Sequence, residues 1–146
     1  MEFRLLTEKD IPSLLELYVQ LDENNKSLTV EDSLKVWENI SKHKDIKYFG
    51  AVDNDKVVST CYTMIIPNLT AGGRSICFME NVVTDENYRK QGLARKVIQM
   101  AMDDAKANNC YKVILMSAMY RTEAHKFYEK LGFDGGLKKA FDFRIK

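Results

Sequence analysis

Two periodicities divide the chain. Ile11, Leu14, Leu15, Tyr18 and Val19 fall three and four residues apart, and Leu34, Trp37 and Ile40 repeat that spacing further on. Residues so spaced share one face of a helix. The first run predicts a helix near 8–21 with Thr7 as its N-cap; the second predicts a helix that Thr29 caps and that ends around His43. Asn24-Asn25-Lys26-Ser27 breaks the pattern between them. From Tyr48 the period becomes two. Tyr48–Val52 and Val57–Ile66 read as strands joined by the turn Asp53-Asn54-Asp55-Lys56.

Pro67 closes the second of these strands, and Asn68–Arg74, with Gly72-Gly73, makes a longer connection. Ser75–Thr84 is the next strand. Lys90–Asn108 follows as a helix with Leu93, Val97, Ala101 and Ala105 on one face, then Lys112–Ser117 as a short apolar strand. Glu123–Leu131 is a last helix, stopped by Gly132. A short strand over Phe3–Leu6 opens the chain, and Lys139–Ile145 alternates again and is expected to close the sheet. This order predicts a mixed α/β sheet with helices on both faces. No repeat, linker or low-complexity tail interrupts it, so residues 1–146 are expected to form one domain.

The chemistry concentrates where the third long strand meets the third helix. Val82-Val83-Thr84 runs through Asp85-Glu86-Asn87-Tyr88 into Arg89-Lys90-Gln91-Gly92-Leu93-Ala94-Arg95. The first turn of a helix has unpaired N–H groups and a partial positive charge, so it attracts anions. Gly92 and Ala94 carry almost no side chain, which lets a diphosphate settle on the backbone. Arg89, Lys90 and Arg95 add cationic charge, opposed only by Asp85 and Glu86 upstream. The turn reads as a seat for a phosphorylated cofactor.

Composition narrows the class. The 146 residues are 45% hydrophobic and 29% charged, enough for a buried core. With 22 basic and 21 acidic residues the net charge is +1, which argues against a nucleic-acid or membrane-surface binder. No apolar run approaches the roughly 20 residues that cross a bilayer, and Met1–Asp10 has no apolar signal core, so the expectation is a cytoplasmic protein. Cys61, Cys77 and Cys110 show no metal-ligand spacing and read as reduced core residues. His43 and His125 are isolated, so no metal site is expected.

Three segments give the chain a resemblance to the GCN5-related N-acetyltransferase (GNAT) superfamily. Arg89-x-x-Gly92-x-Ala94 matches the family's acyl-CoA pyrophosphate signature. Glu80-Asn81-Val82-Val83 lies on the strand before it. Ala124-His125-Lys126-Phe127-Tyr128-Glu129-Lys130-Leu131-Gly132-Phe133 resembles the family's A-x-x-F-Y-x-x-x-G-F ending. The resemblance implies a mixed, mostly antiparallel sheet with helices on both faces, in which two parallel strands, Met79–Thr84 and Lys112–Ser117, splay apart around acetyl-CoA. It implies pantetheine contacts from the backbone of Val82, Val83 and Thr84. Diphosphate contacts would come from Arg89, Lys90 and the N–H groups of Gln91, Gly92, Leu93, Ala94 and Arg95. Further contacts would come from Arg121, Ala124 and Phe127 around the last helix. A bulge near Asn81 would aim an N–H at the thioester carbonyl.

For amine acetylation, Glu80 in its apolar strand is the candidate general base, and the alternative is a carboxylate that faces solvent or pairs across the sheet. A protonated alkyl amine must lose its proton first, at about 4 kcal/mol near neutral pH. Tyr128 is the candidate acid toward the departing thiolate, the alternative being a Tyr that packs at i+4 from Ala124 with its hydroxyl at the rim. Arg121 stands where many relatives carry Asn, and either reaches a CoA phosphate or begins the helix in solvent. Asp22 and Glu23 would suit a cationic acceptor, and Arg74 a carboxylate or phosphate. The implied activity is acetyl transfer to a primary amine of a small metabolite, with a CoA-binding sensor as the alternative and a homodimer as an open possibility.

Overall fold

The computed structural model describes all residues, 1–146. The chain divides into two compact units, Met1–Ile114 and Leu115–Lys146. The first begins with β1 (Glu2–Leu5) and a 3-10 turn at Glu8–Asp10, followed by α1 (Ile11–Leu21). The expected helix over 8–21 is thus split. Asp10 bends in to accept a fork of hydrogen bonds from Arg4 (2.8 and 2.9 Å) and one from the Thr7 amide (2.7 Å). Pro12 then stands in the first turn of α1, where its missing N–H is harmless. The segment at 24–27, expected to interrupt the helices, is part of a 3-10 turn (Glu23–Ser27). Thr29 caps α2 (Val30–Ser41) as expected, accepting from the Asp32 amide.

β2 (Ile46–Asp53), β3 (Lys56–Ile66) and β4 (Ser75–Thr84) follow, then α3 (Leu93–Ala107) and β5 (Cys110–Leu115). The sheet order is β1-β2-β3-β4-β5. The first four strands are antiparallel, and β5 runs parallel to β4. Pairing register sorts the side chains. Tyr48, Tyr62 and Glu80 stand side by side on one face. On that face Val52, Val57 and Val83 pack with Ile11, Leu14 and Leu17 of α1, and Leu34 and Trp37 of α2 close over them. On the opposite face Ile65 and Cys77 pack with Ala105 of α3 and with Cys110. Helices therefore cover both faces, as expected. The three cysteines are buried free thiols, and burial raises Cys61 to about 12 and Cys77 to about 11.

The second unit contains α4 (Thr122–Lys130). Its end is a Schellman turn: the Gly132 amide donates to the Glu129 carbonyl and the Phe133 amide to that of Tyr128. Gly132 takes the left-handed conformation this requires, with φ 98°. Phe133 closes the turn by an edge contact with the Tyr128 ring at 6.0 Å. The motif F-Y-x-x-x-G-F is thereby explained locally: its Gly and second Phe terminate the helix.

The closing strand expected over Lys139–Ile145 is not formed. Alternation makes a two-faced ribbon, but a ribbon becomes a strand only against another backbone. Here Phe141, Phe143 and Ile145 are 87–91% exposed.

Candidate functional site

β4 delivers the expected site residues in order. Between Thr60↔Val83 and Tyr62↔Glu80, one residue of β3, Cys61, faces two of β4, Asn81 and Val82. This is a β-bulge, and Asn81 sits at its turning point with φ 51°. The extra residue reverses the alternation beyond it, so Val83 rather than Val82 shares the face of Glu80. Tyr62 lies directly across from Glu80; Tyr48 stacks on Tyr62 at 4.7 Å, and Trp37 meets Tyr48 edge-on at 5.2 Å. Burial, and then the charge of Glu80, push the Tyr62 phenol above its ordinary value; burial pushes that of Tyr48 to about 12. Both phenols therefore stay protonated at neutral pH.

Past Thr84 the chain is held by Asp85, which is only 2% exposed. Its carboxylate accepts from Lys56 Nζ (2.7 Å), from Gln20 Nε2 (3.3 Å) and from the Asn87 amide (2.9 Å). Gln20 returns an acceptor to the Glu86 amide (2.9 Å), and the Tyr88 hydroxyl donates to Asp53 (3.0 Å). The β2–β3 hairpin and α1 thus pin both sides of the loop that enters the seat. Sequence reasoning treated Asp85 only as an opposing charge; the short-range signal was the Asp-x-Asn turn, and the Gln20 and Lys56 partners left none.

The seat itself is open. Lys90 and Gly92 take positive φ, 61° and 77°, flanking Gln91. Such alternation turns successive N–H groups toward one concavity that suits anions. The helix expected from Lys90 starts at Leu93 because Gly92, left-handed, is its N-cap. No side chain caps α3 there, and the first intrahelical donor toward Gly92 is the Lys96 amide (3.2 Å). The amides of Leu93, Ala94 and Arg95 therefore lack helical partners. A Cβ at Gly92 would meet nothing within 4 Å. Arg89, Lys90, Gln91 and Arg95 are exposed around it, while Arg89 Nε also donates to the Thr84 carbonyl (3.2 Å) and braces the turn. Exposed backbone donors, a vacant Cβ position and three cations fit the diphosphate of an acyl-CoA.

Arg121, Ala124, Phe127 and Tyr128 belong to the second unit. Arg121 is the N-cap of α4, and the other three lie on its half-buried side, with the rings of Phe127 and Tyr128 5.4 Å apart. His125 Nε2 bonds the Ala118 carbonyl at 2.9 Å and is occupied locally. Two acceptor-side expectations change. Asp22 caps the turn after α1 by accepting from the Asn24 amide (2.9 Å). Arg74 donates to the Cys110 carbonyl (2.8 Å) and to Asn109 Oδ1 (3.3 Å), tying the β3–β4 connection to the start of β5. A groove of about 440 Å³ lined by Leu34, Trp37, Glu38 and Ser41 contains none of the candidate residues. No group of His, Cys, Asp or Glu side chains is arranged to hold a metal, and no helix is long and apolar enough to cross a membrane.

Lys56 holds the Asp85 carboxyl below the usual carboxylate range, followed by backbone and Gln20 hydrogen bonds against the cost of burial. A lowered folded pKa means stability that is complete above the unfolded value of ~4 and lost as pH falls through the folded one. Asp85→Asn should therefore melt below wild type at pH 7 and show a shallower loss of melting temperature under about pH 4. Equal stability at pH 7, or an equally steep acid limb, contradicts this role.

The profile of the Acetyltransferase (GNAT) family matches residues 11–133. A curated glucosamine 6-phosphate N-acetyltransferase of Trypanosoma brucei brucei is 36% identical over 135 residues, 91% of this chain and 88% of that one. Another of the same name from Arabidopsis thaliana is 30% identical over 122 residues, 80% of each. A crystal structure of a Trypanosoma brucei acetyltransferase superposes with a TM-score of 0.80 at 32% identity, covering 99% of this chain and 98% of that one. The family draws its acetyl group from acetyl-CoA. The sheet with parallel β4 and β5, the seat at the head of α3 and the match across most of the chain lead to one assignment: the protein is an N-acetyltransferase of the GNAT family.

Proposed function

We propose that the protein transfers acetyl from acetyl-CoA to the primary amine of a small metabolite, of the amino-sugar phosphate class, in one ternary complex. The observation that carries the reading is the run of β4 itself. It sets Glu80, a bulge and an uncapped cationic seat in succession, the order that bringing a thioester to a base beside an anchored diphosphate requires. The names of the two curated relatives support the acceptor class.

In this reading Gln91–Arg95 amides, Arg89 and Lys90 hold the diphosphate, and Val82, Val83 and Thr84 offer backbone to the pantetheine, with Arg121, Ala124 and Phe127 completing the cofactor contacts. Glu80 takes a proton from the ammonium, directly or through water. The amine nitrogen bonds the acyl carbon as the C–S bond breaks, and the sulfur leaves with the electron pair. Tyr128 gives that sulfur a proton, since a phenol is a donor at neutral pH, and the second proton shed by the acylated nitrogen passes through water to restore the Tyr128 phenol. One N-acetyltransferase domain over 1–146 belongs to the same reading, because the family match crosses from the first unit into the second. So does a cytoplasmic location, supported by three free thiols.

Thiol release from acetyl-CoA, followed across a panel of amines that includes glucosamine 6-phosphate, tests the reading. Release is expected to rise with an amino-sugar phosphate. Glu80→Gln should lower it most at low pH, where the amine most needs deprotonation, by about 10²-fold or more. Tight CoA binding with no amine-stimulated release would favour a sensor instead, and a flat Glu80→Gln effect across pH removes Glu80 as base.

A homodimer is proposed as well, supported by the solvent-exposed Leu137, Phe141, Phe143 and Ile145, an apolar set large for an isolated chain. Sedimentation equilibrium should give twice the 16.9 kDa chain mass, and Phe141→Lys with Phe143→Lys should return the monomer. A wild-type monomer at micromolar concentration contradicts it.

A further inference from the structure

One buried hydroxyl in the first unit makes no hydrogen bond of good geometry and lies beside the bulge of β4. Tyr18 sits on α1, among the residues that cover the Glu80 face of the sheet. Its hydroxyl is fully buried and makes no hydrogen bond of good geometry, its one polar neighbour being the Asn81 side chain. Buried hydroxyls are well satisfied in the great majority of proteins, so one held only loosely has capacity for a ligand atom. The polar side chain beside it is that of Asn81, the turning residue of the bulge, and Tyr48 and Tyr62 stand on the same face of the sheet. Cys61 is the residue across from the bulge. The phenol therefore lies over the one place in β4 where the ladder to β3 is interrupted. Burial drives its pKa well above the ordinary phenol range, so it is a donor under all working conditions.

A bulge leaves its extra residue outside the ladder, with backbone groups free for another partner. A thioester carbonyl attacked by an amine develops negative charge on oxygen, and preorganised donors aimed at that oxygen stabilise the transition state. We infer that Tyr18 is a further catalytic residue, its hydroxyl donating to the thioester carbonyl oxygen alongside a backbone N–H of the Asn81 bulge. Two unlike donors then meet at one point: an amide fixed by the bulge in β4 and a phenol carried in by α1. The inference rests on the acetyl-transfer reading, and it concerns only how the oxygen is held.

Tyr18→Phe tests it, because the ring and its packing stay while the O–H goes. With the acceptor that wild type acetylates best, kcat should fall by about 10²-fold, the scale of one lost oxyanion donor. KM for acetyl-CoA, CoA affinity by calorimetry and the melting temperature should stay near wild type, or melting should rise, since a loosely held buried hydroxyl has been removed. A merely structural role would move CoA affinity and melting together with kcat. Turnover within threefold of wild type, or a loss of CoA affinity matching the loss of kcat, overturns the inference. Should wild type itself release no thiol with any amine, the acetyl-transfer reading fails instead, and the two failures are told apart by that first measurement.

Discussion

The unpaired amides at the head of α3 are the constraint on which the site depends. A helix start normally has a side-chain cap, and here Gly92 supplies none. Four features keep the position usable. Gly92 adopts a left-handed angle that an L side chain resists, Leu93 anchors the first turn in the core, and Lys90 turns the preceding peptide. Asp85, buried and tied to Gln20 and Lys56, fixes the loop before it. Because the donors are backbone, their placement comes from the fold itself. The surrounding cations add attraction that salt can screen, but the direction of the amides does not depend on salt.

The second constraint is the bulge at Asn81. A regular strand would have placed Glu80 and Val82 on one face and left every β4 group in its ladder. One extra residue against Cys61 instead moves Val83 onto the face of Glu80, where it packs with α1. The same irregularity lets a stable, well-packed strand present Glu80 to an aromatic surface and offer unladdered backbone one residue later. Both ends of β4 are then fixed by neighbours. Arg74 fastens its beginning to β5, and the Asp85 loop carries its end into the seat.

What the sequence disclosed follows the range of the interactions. The Thr29 cap, the Gly132 stop, the hairpin at 53–56 and the Arg89-x-x-Gly92-x-Ala94 turn depend on residues within a few positions of each other, and all were legible. Asp85 was misread because one partner, Gln20, is 65 residues away. The Arg74 tie was hidden for the same reason, since the carbonyl it holds is 36 residues further on. Tyr18 reads as one more member of a helical stripe, because Asn81, the polar side chain beside it, comes far later in the chain on β4. The tail at 139–145 shows the converse. Its alternation was real, but alternation says nothing of which backbone will pair with it, and the fold provides none.

The account can be tested most directly by following backbone amides in a 15N-labelled sample as CoA is added. It predicts that the amides of Gln91, Gly92, Leu93, Ala94 and Arg95 shift first and furthest, saturating together, while those on the outer face of α2 stay still. Saturable CoA binding that leaves the 91–95 amides unmoved would contradict the claim that this helix start holds the diphosphate.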